Sequence, residues 1–145
     1  GVSSTKIRNA LLDGKVSLAN EYLGYQYSMF GYVIKGKQIG RQIGFPTANL
    51  LVQDSTKLIP KEGVYAVDVL IDNMRHQAMM NIGQSPTVGG NIKRLEVHIF
   101  DFNQDIYEQT IKVFFKDRVR DEVHFENLEL LKEQLQKDKN QILNI

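Results

Sequence analysis

Gly63-Val-Tyr-Ala-Val-Asp-Val-Leu-Ile71, the pair Asp72-Asn73, and, after Met74-Arg-His, the run Gln77-Ala-Met-Met-Asn-Ile82 decide the fold class of this chain. Both runs are β-branched, aromatic or otherwise apolar and are bounded by turn formers, so they read as strands. The short Asp-Asn link makes them an antiparallel pair. Outward from this hairpin the same character marks Tyr27–Ile34, Thr47–Val52, Leu95–Phe100 and Thr110–Phe115. Asn103-Gln104-Asp105 joins the last two as further antiparallel neighbours. No helical pattern interrupts the strands, which excludes a βαβ sheet. Six short antiparallel strands lose their exposed edges by closing on themselves, so the expected fold is mainly β, a six-stranded antiparallel barrel.

Helices are expected at both ends. Ser3 or Ser4 caps a short helix carrying Ile7, Leu11 and Leu12 that stops at Asp13-Gly14, and a second runs from Val16 to Leu23 and stops at Gly24. Near the C-terminus Phe125, Leu128, Leu131 and Leu135 recur with helical spacing behind a candidate cap, Asn127, while Glu129, Lys132, Glu133 and Lys137 face water. That stripe is too short for a coiled coil and is expected to lie on the barrel.

The 145 residues suffice for one domain with its own core. Absence of cysteine excludes disulfides and thiolate metal sites. Nothing reads as a signal peptide or a long apolar span, so a soluble, cytoplasmic protein with no membrane partner is expected. Lys+Arg 18 against Asp+Glu 17 leaves a net charge of +1, too balanced for a chain that works by neutralising a nucleic-acid backbone. No nucleic-acid partner is expected.

The richest chemistry lies in Gly31-Tyr-Val-Ile-Lys35-Gly36-Lys37-Gln38-Ile-Gly40-Arg41-Gln-Ile-Gly44-Phe45-Pro46-Thr47-Ala48-Asn49. Glycines let backbone N–H groups approach an anion, and Lys35, Lys37 and Arg41 can neutralise it. Gly31-x4-Gly36-Lys37 matches a Walker A loop only until Gln38, which replaces the required Ser or Thr; Gly40, Gly44 and Pro46 then forbid the helix such a loop must open. A Walker loop is therefore rejected. Thr47 and Asn49, two apart in an extended segment, point the same way and offer two hard oxygen ligands suited to magnesium, with Ala48 toward the core. The alternative is an ordinary Gly/Pro-rich loop between strands.

The pattern Gly31-x4-Gly36-x3-Gly40-Arg41-x2-Gly44-Phe45-Pro46-Thr47-Ala48-Asn49 resembles the nucleotide-binding segment of riboflavin kinases, particularly the kinase module of bacterial bifunctional riboflavin kinase/FAD synthetases. Asn81-Ile82-Gly83 with Pro86-Thr87, and then Glu96-Val97-His98, resemble the same family in the same order. The resemblance runs from Tyr27 to Ile142. It implies a Greek-key barrel with a helix packed outside it, and ATP-dependent phosphorylation of riboflavin at the ribityl 5′-hydroxyl, giving FMN and ADP with Mg2+. By the same resemblance Gly36, Gly40 and Arg41 cover the phosphates, Thr47 and Asn49 hold both ATP and the metal, and Glu96 is the catalytic base. Arg120, in a segment resembling the family's Leu-Arg-x-Glu-x-x-Phe connection, closes over flavin, and Asn81 is a further flavin contact.

Each of these residues also has a plainer reading. Asn81 to Gly90 can be a strand running out into a glycine-containing loop, Glu96 and His98 the wet face of a half-buried strand, and Arg120 a solvated arginine. His98 is expected to orient or pack, because His76, His98 and His124 lack metal-ligand spacing. The segment departs from the family in Val119 for Leu, His124 for Lys and Glu108 where many members have Gly after Tyr107. Val2-Ser-Ser-Thr-Lys-Ile-Arg8 resembles the end of the adenylyltransferase module that precedes the kinase. Residues 1–24 are accordingly expected to be a helical lead-in left from that upstream partner module, without activity of their own, and residues 25–145 the kinase domain. The rival readings are a non-catalytic small barrel that binds flavin or single-stranded nucleic acid, and a purely structural interaction domain.

Overall fold

The Asp72-Asn73 link forms the turn that the sequence demands. Both residues are left-handed, with φ of 51° and 64°, the conformation of a two-residue hairpin whose twist matches its strands. They join β3 (Gly63–Ile71) to β4 (Met74–Thr87), which pair antiparallel from Ile71↔Met74 to Gly63↔Ile82. The other strands are β1 (Ser28–Ile34), β2 (Ala48–Leu51), β5 (Gly90–Ile99) and β6 (Thr110–Arg120). In the computed structural model, which describes residues 3–35 and 39–145, they close a six-stranded antiparallel barrel in the order β1-β2-β5-β4-β3-β6.

Two expectations are corrected by this topology. Asn103-Gln104-Asp105 does not join neighbours: β5 lies between β2 and β4, whereas β6 lies between β1 and β3, so the link crosses one end of the barrel. The stretch beyond Asn81 is not a loop either. Gly83, Gln84 and Ser85 continue β4 in register with Arg94, Lys93 and Ile92, and the chain turns only at Val88-Gly89, where Gly89 has φ 90°. A partner strand of matching length supplies the hydrogen bonds that local turn propensity cannot.

Alternation does the rest. Leu50, Leu95, Val97 and Ile99 join Val33, Tyr65, Val67, Met80, Ile82 and Phe115 inside the barrel, and Ala48 packs against them as expected. The helices α1 (Ser4–Leu12) and α2 (Val16–Leu23) add Ala10, Leu11, Val16 and Ala19 to the same cluster. Ser3 caps α1 by accepting from Lys6 N, and Gly24 ends α2 with φ 82°. Leu12, expected on the apolar face, is 46% exposed. Asn20 pins the pair to the barrel, donating to the Phe115 carbonyl at 2.8 Å and accepting from Tyr27 N at 2.7 Å.

The C-terminal helix α3 (Leu128–Leu143) begins at its expected cap, where Asn127 Oδ1 accepts from Leu130 N at 2.9 Å. Its inward stripe is Leu131, Leu135, Asp138 and Ile142, and Leu128, expected in that stripe, is 43% exposed. Ile142 joins Phe45, Ala66, Met79 and Phe100 in a second apolar cluster on the outside of the barrel. Glu108, the departure from glycine, is left-handed with φ 65°, a conformation that costs a side-chain-bearing residue about 1 kcal/mol. Among the described residues, no helix is long and apolar enough to cross a membrane.

Candidate functional site

Residues directly opposed across a ladder point to the same side of the sheet, so the register draws a row across the outside of the barrel. Asn49 on β2, Glu96 on β5, Asn81 on β4, Val64 on β3 and Arg120 on β6 lie in that row. It floors a cavity of about 270 Å³, which α3 and residues 121–127 cover through Glu122, Val123, Phe125, Leu131 and Leu135. Thr47, one residue before β2, lines the same cavity as Asn49, so the two oxygen-bearing side chains do share a side. Five of the residues singled out from the sequence, Thr47, Asn49, Asn81, Glu96 and Arg120, therefore meet in one place.

Glu96 is only partly exposed. Its Oε1 lies 2.8 Å from Arg94 Nε, and the same guanidinium donates to Ser85 Oγ at 3.1 Å and stands 3.9 Å from Glu122 Oε1. Asn81 contributes a buried Oδ1 that accepts nothing from the described residues, an acceptor free for a donor on a ligand. Arg120 is not a loose cover. Its Nε and Nη2 donate to the carboxylate of Asp138, 1% exposed on α3, at distances from 2.8 to 3.1 Å, and its Nη1 donates to the Asp121 carbonyl. Gln134 adds a third donor to Asp138 at 2.9 Å, and the Arg120 guanidinium lies over the Phe125 ring. Such a bidentate pair fixes Arg120 as part of the wall.

His98 packs between Phe45 and Phe100, ring centroids 5.2 and 5.6 Å away. Its Nδ1–H donates to the Pro46 carbonyl at 2.6 Å, which ties the segment carrying Thr47 to β5. Burial pushes its pKa below 6.5, against a smaller opposing effect of the Pro46 carbonyl, so the ring is held neutral. The face expected to be wet is thus covered, because α3 lies over it.

A second cavity, of about 540 Å³, opens on the other side of Thr47. Arg41, exposed, reaches it from the 3-10 turn Ile39–Ile43, which also contains Gly40; Ala48, Phe102, Asp105 and Tyr107 form other parts of its wall. Thr47 belongs to both walls. Gly36 lies outside the described residues. Sequence reasoning missed three residues: Arg94, Glu122 and Asp138. Arg94 was readable as the residue two before Glu96 on the same face, and Asp138 as a charge inside an apolar helical stripe. Glu122 was readable as the Glu of the Leu-Arg-x-Glu-x-x-Phe connection that Arg120 belongs to.

Residues 23–145 match the family model for riboflavin kinase, also named flavokinase. The bifunctional riboflavin kinase/FMN adenylyltransferase of Haemophilus influenzae is 43% identical over 138 residues, which are 94% of this chain and 44% of that protein. A crystal structure of a macrolide-efflux protein from Streptococcus pneumoniae superposes with a TM-score of 0.95 at 44% identity, covering 99% of this chain and 47% of that one. Riboflavin kinase from Trypanosoma brucei shares the fold, with a TM-score of 0.57 at 19% identity over 83% of this chain and 80% of its own. This chain spans about half the length of the curated relatives it matches.

Proposed function

Because the chain belongs to the riboflavin kinase family, we propose that it transfers the γ-phosphoryl group of ATP to the ribityl 5′-hydroxyl of riboflavin, releasing FMN and ADP. The observation that carries this reading is Thr47, which stands in the shared wall of two cavities, one flanked by Arg41 and the other floored by Glu96 and Asn81. Two substrates on either side of that wall would bring their reacting ends together beside Thr47 and Asn49.

Phosphoryl transfer asks a protein for position and charge neutralisation more than for covalent help. ATP takes the cavity beside Arg41, with Gly36 and Gly40 covering its phosphates. Riboflavin lies under α3, where the buried Asn81 Oδ1 suits the imide N–H of a flavin ring and Arg120, set by Asp138, forms the adjoining wall. The ribityl oxygen forms its new bond to the γ-phosphorus as the bond from that phosphorus to the ADP oxygen breaks, and the Glu96 carboxylate accepts the hydroxyl proton. The hydroxyl of Thr47 and the amide oxygen of Asn49 fit a hard cation, and Mg2+ held there would neutralise phosphate charge.

Residues 1–24 are assigned to the lead-in from an upstream adenylyltransferase module, the partner that the longer relatives carry, and the protein to the cytoplasm. FMN formation from riboflavin and ATP, followed by flavin chromatography, separates an enzyme from a flavin-binding barrel. Glu96→Gln keeps shape and removes basicity, so it is expected to lower kcat by about 10²–10⁴-fold while riboflavin still binds. No FMN from the unaltered chain overturns the reading, and unchanged turnover in the variant removes Glu96 as the base.

A further inference from the structure

Resting on the assignment of Glu96 as base, we propose that Arg94 is its positioning residue and that it couples the base to residues 121–127 above the cavity. Arg94 and Glu96 are two apart on β5 and project from the same face, which sets the guanidinium against the carboxylate, Nε 2.8 Å from Oε1. Its guanidinium fork meets three elements: it forms ion pairs with Glu96 on its own strand and with Glu122 in the cover, and donates a hydrogen bond to Ser85 on β4.

Gly83 makes this possible. It is the cross-strand partner of Arg94, and a Cβ there would lie 2.5 Å from Glu122 Oε1. The absent side chain leaves a seat beside Arg94 that the carboxylate of Glu122 fills. Arg94 thus sits between two carboxylates, one on the barrel and one on the cover, and Ser85 anchors it from below. Arg94 engages Oε1 of Glu96, which assigns Oε2 to the ribityl hydroxyl. Without the guanidinium, two like charges would face each other with nothing to direct the base. An error of about 1 Å in the position of a reacting group can cost on the order of 10²-fold in rate.

FMN formation by the 145-residue chain carrying Arg94→Gln, Arg94→Lys, Glu96→Gln or the double change Arg94→Gln/Glu96→Gln tests the assignment. Arg94→Gln is expected to lower kcat roughly ten- to a hundredfold with the KM for ATP unchanged. Arg94→Lys, a point charge without the fork, recovers part of the loss. In the Glu96→Gln background the Arg94 change has no further effect, because no base remains to be oriented. Glu122→Gln lowers kcat by the same route, to a smaller extent, and is equally silent without Glu96. A kcat for Arg94→Gln within about twofold of wild type overturns the proposal, as does an equal loss with and without Glu96. Wild-type turnover in Glu96→Gln instead removes the base and Arg94 with it, whereas a crippled Glu96→Gln beside a normal Arg94→Gln removes Arg94 alone. Should Arg94→Gln fail to fold by near-ultraviolet circular dichroism, Arg94→Lys bears the test, with kcat reduced when Glu96 is present and unaltered when it is not.

Discussion

The inside and the outside of this barrel are made from alternate residues of the same strands, and they meet opposite demands. Inside, Val33, Tyr65, Val67, Met80, Ile82, Val97 and Phe115 are all but sealed from solvent, and the Tyr65 hydroxyl escapes to the rim by donating to the Lys61 carbonyl. Outside, beneath α3, a smaller apolar cluster surrounds groups that are charged or polar, and each charge has a partner: Glu96 with Arg94, Arg120 with Asp138. Apolar burial there contributes stability as it does inside, but the ion pairs contribute position, since a buried pair scarcely repays its own desolvation. The barrel interior is therefore expected to control how stable the chain is, and the covered outer face how well it binds and reacts.

The largest stability effect should come from inside. Phe115→Ala is expected to cost about 3–5 kcal/mol, measured by urea denaturation, while the folded fraction keeps its KM for riboflavin. A raised KM would break the separation between the two faces. On the outer face, Asp138→Ala leaves Arg120 without its carboxylate and should cost about 2–3 kcal/mol, below the value for a fully buried pair because the Arg120 side chain keeps 18% of its exposure. Unlike the interior change it should also raise the KM for riboflavin. A KM equal to that of wild type would leave Arg120 as a clamp for α3 and nothing more.

The smallest effect concerns pH. The folded chain holds His98 neutral, with a pKa below the 6.5 of the unfolded chain, so below pH 6.5 the unfolded state binds the proton first. The stability that neutral His98 provides is complete above pH 6.5 and is lost as the pH falls toward its depressed folded value. Denaturation midpoints between pH 7 and pH 5 should accordingly fall less in His98→Gln than in wild type. Parallel profiles would show that the covered face tolerates the charge and is wetter than the interior it resembles.

Most of the fold was legible because its signals are local. Alternation in Leu95–Ile99 marks the two faces, Asp72-Asn73 supplies the left-handed turn, and Ser3 and Asn127 begin their helices, and Gly24 ends its own, by hydrogen bonds or dihedral angles confined to a few residues. The site was half legible by the same logic. Asn49, Asn81 and Glu96 sit on strands whose alternation sets their direction, the register then brings them together, and Thr47 joins them from one residue before β2. The second half of β4 was misread because Gly83, Ser85 and Pro86 are turn formers locally, and only the facing strand overrules them.

By itself, then, the order of residues determined which side chains could face inward, the tight turn at Asp72-Asn73, and the family to which its glycine and Pro-Thr-Ala-Asn segments belong. Tertiary structure alone decided which strands are neighbours, that the supposedly wet face of β5 is roofed by α3, and that Arg120 is held by a carboxylate 18 residues further on. It also decided that Arg94 stands between Glu96 and Glu122. The physical reason is one of range. Backbone conformation and alternation are settled by contacts among near neighbours, whereas the pairing of charges across elements depends on where closure of the barrel puts them, and a local pattern holds no record of that distance.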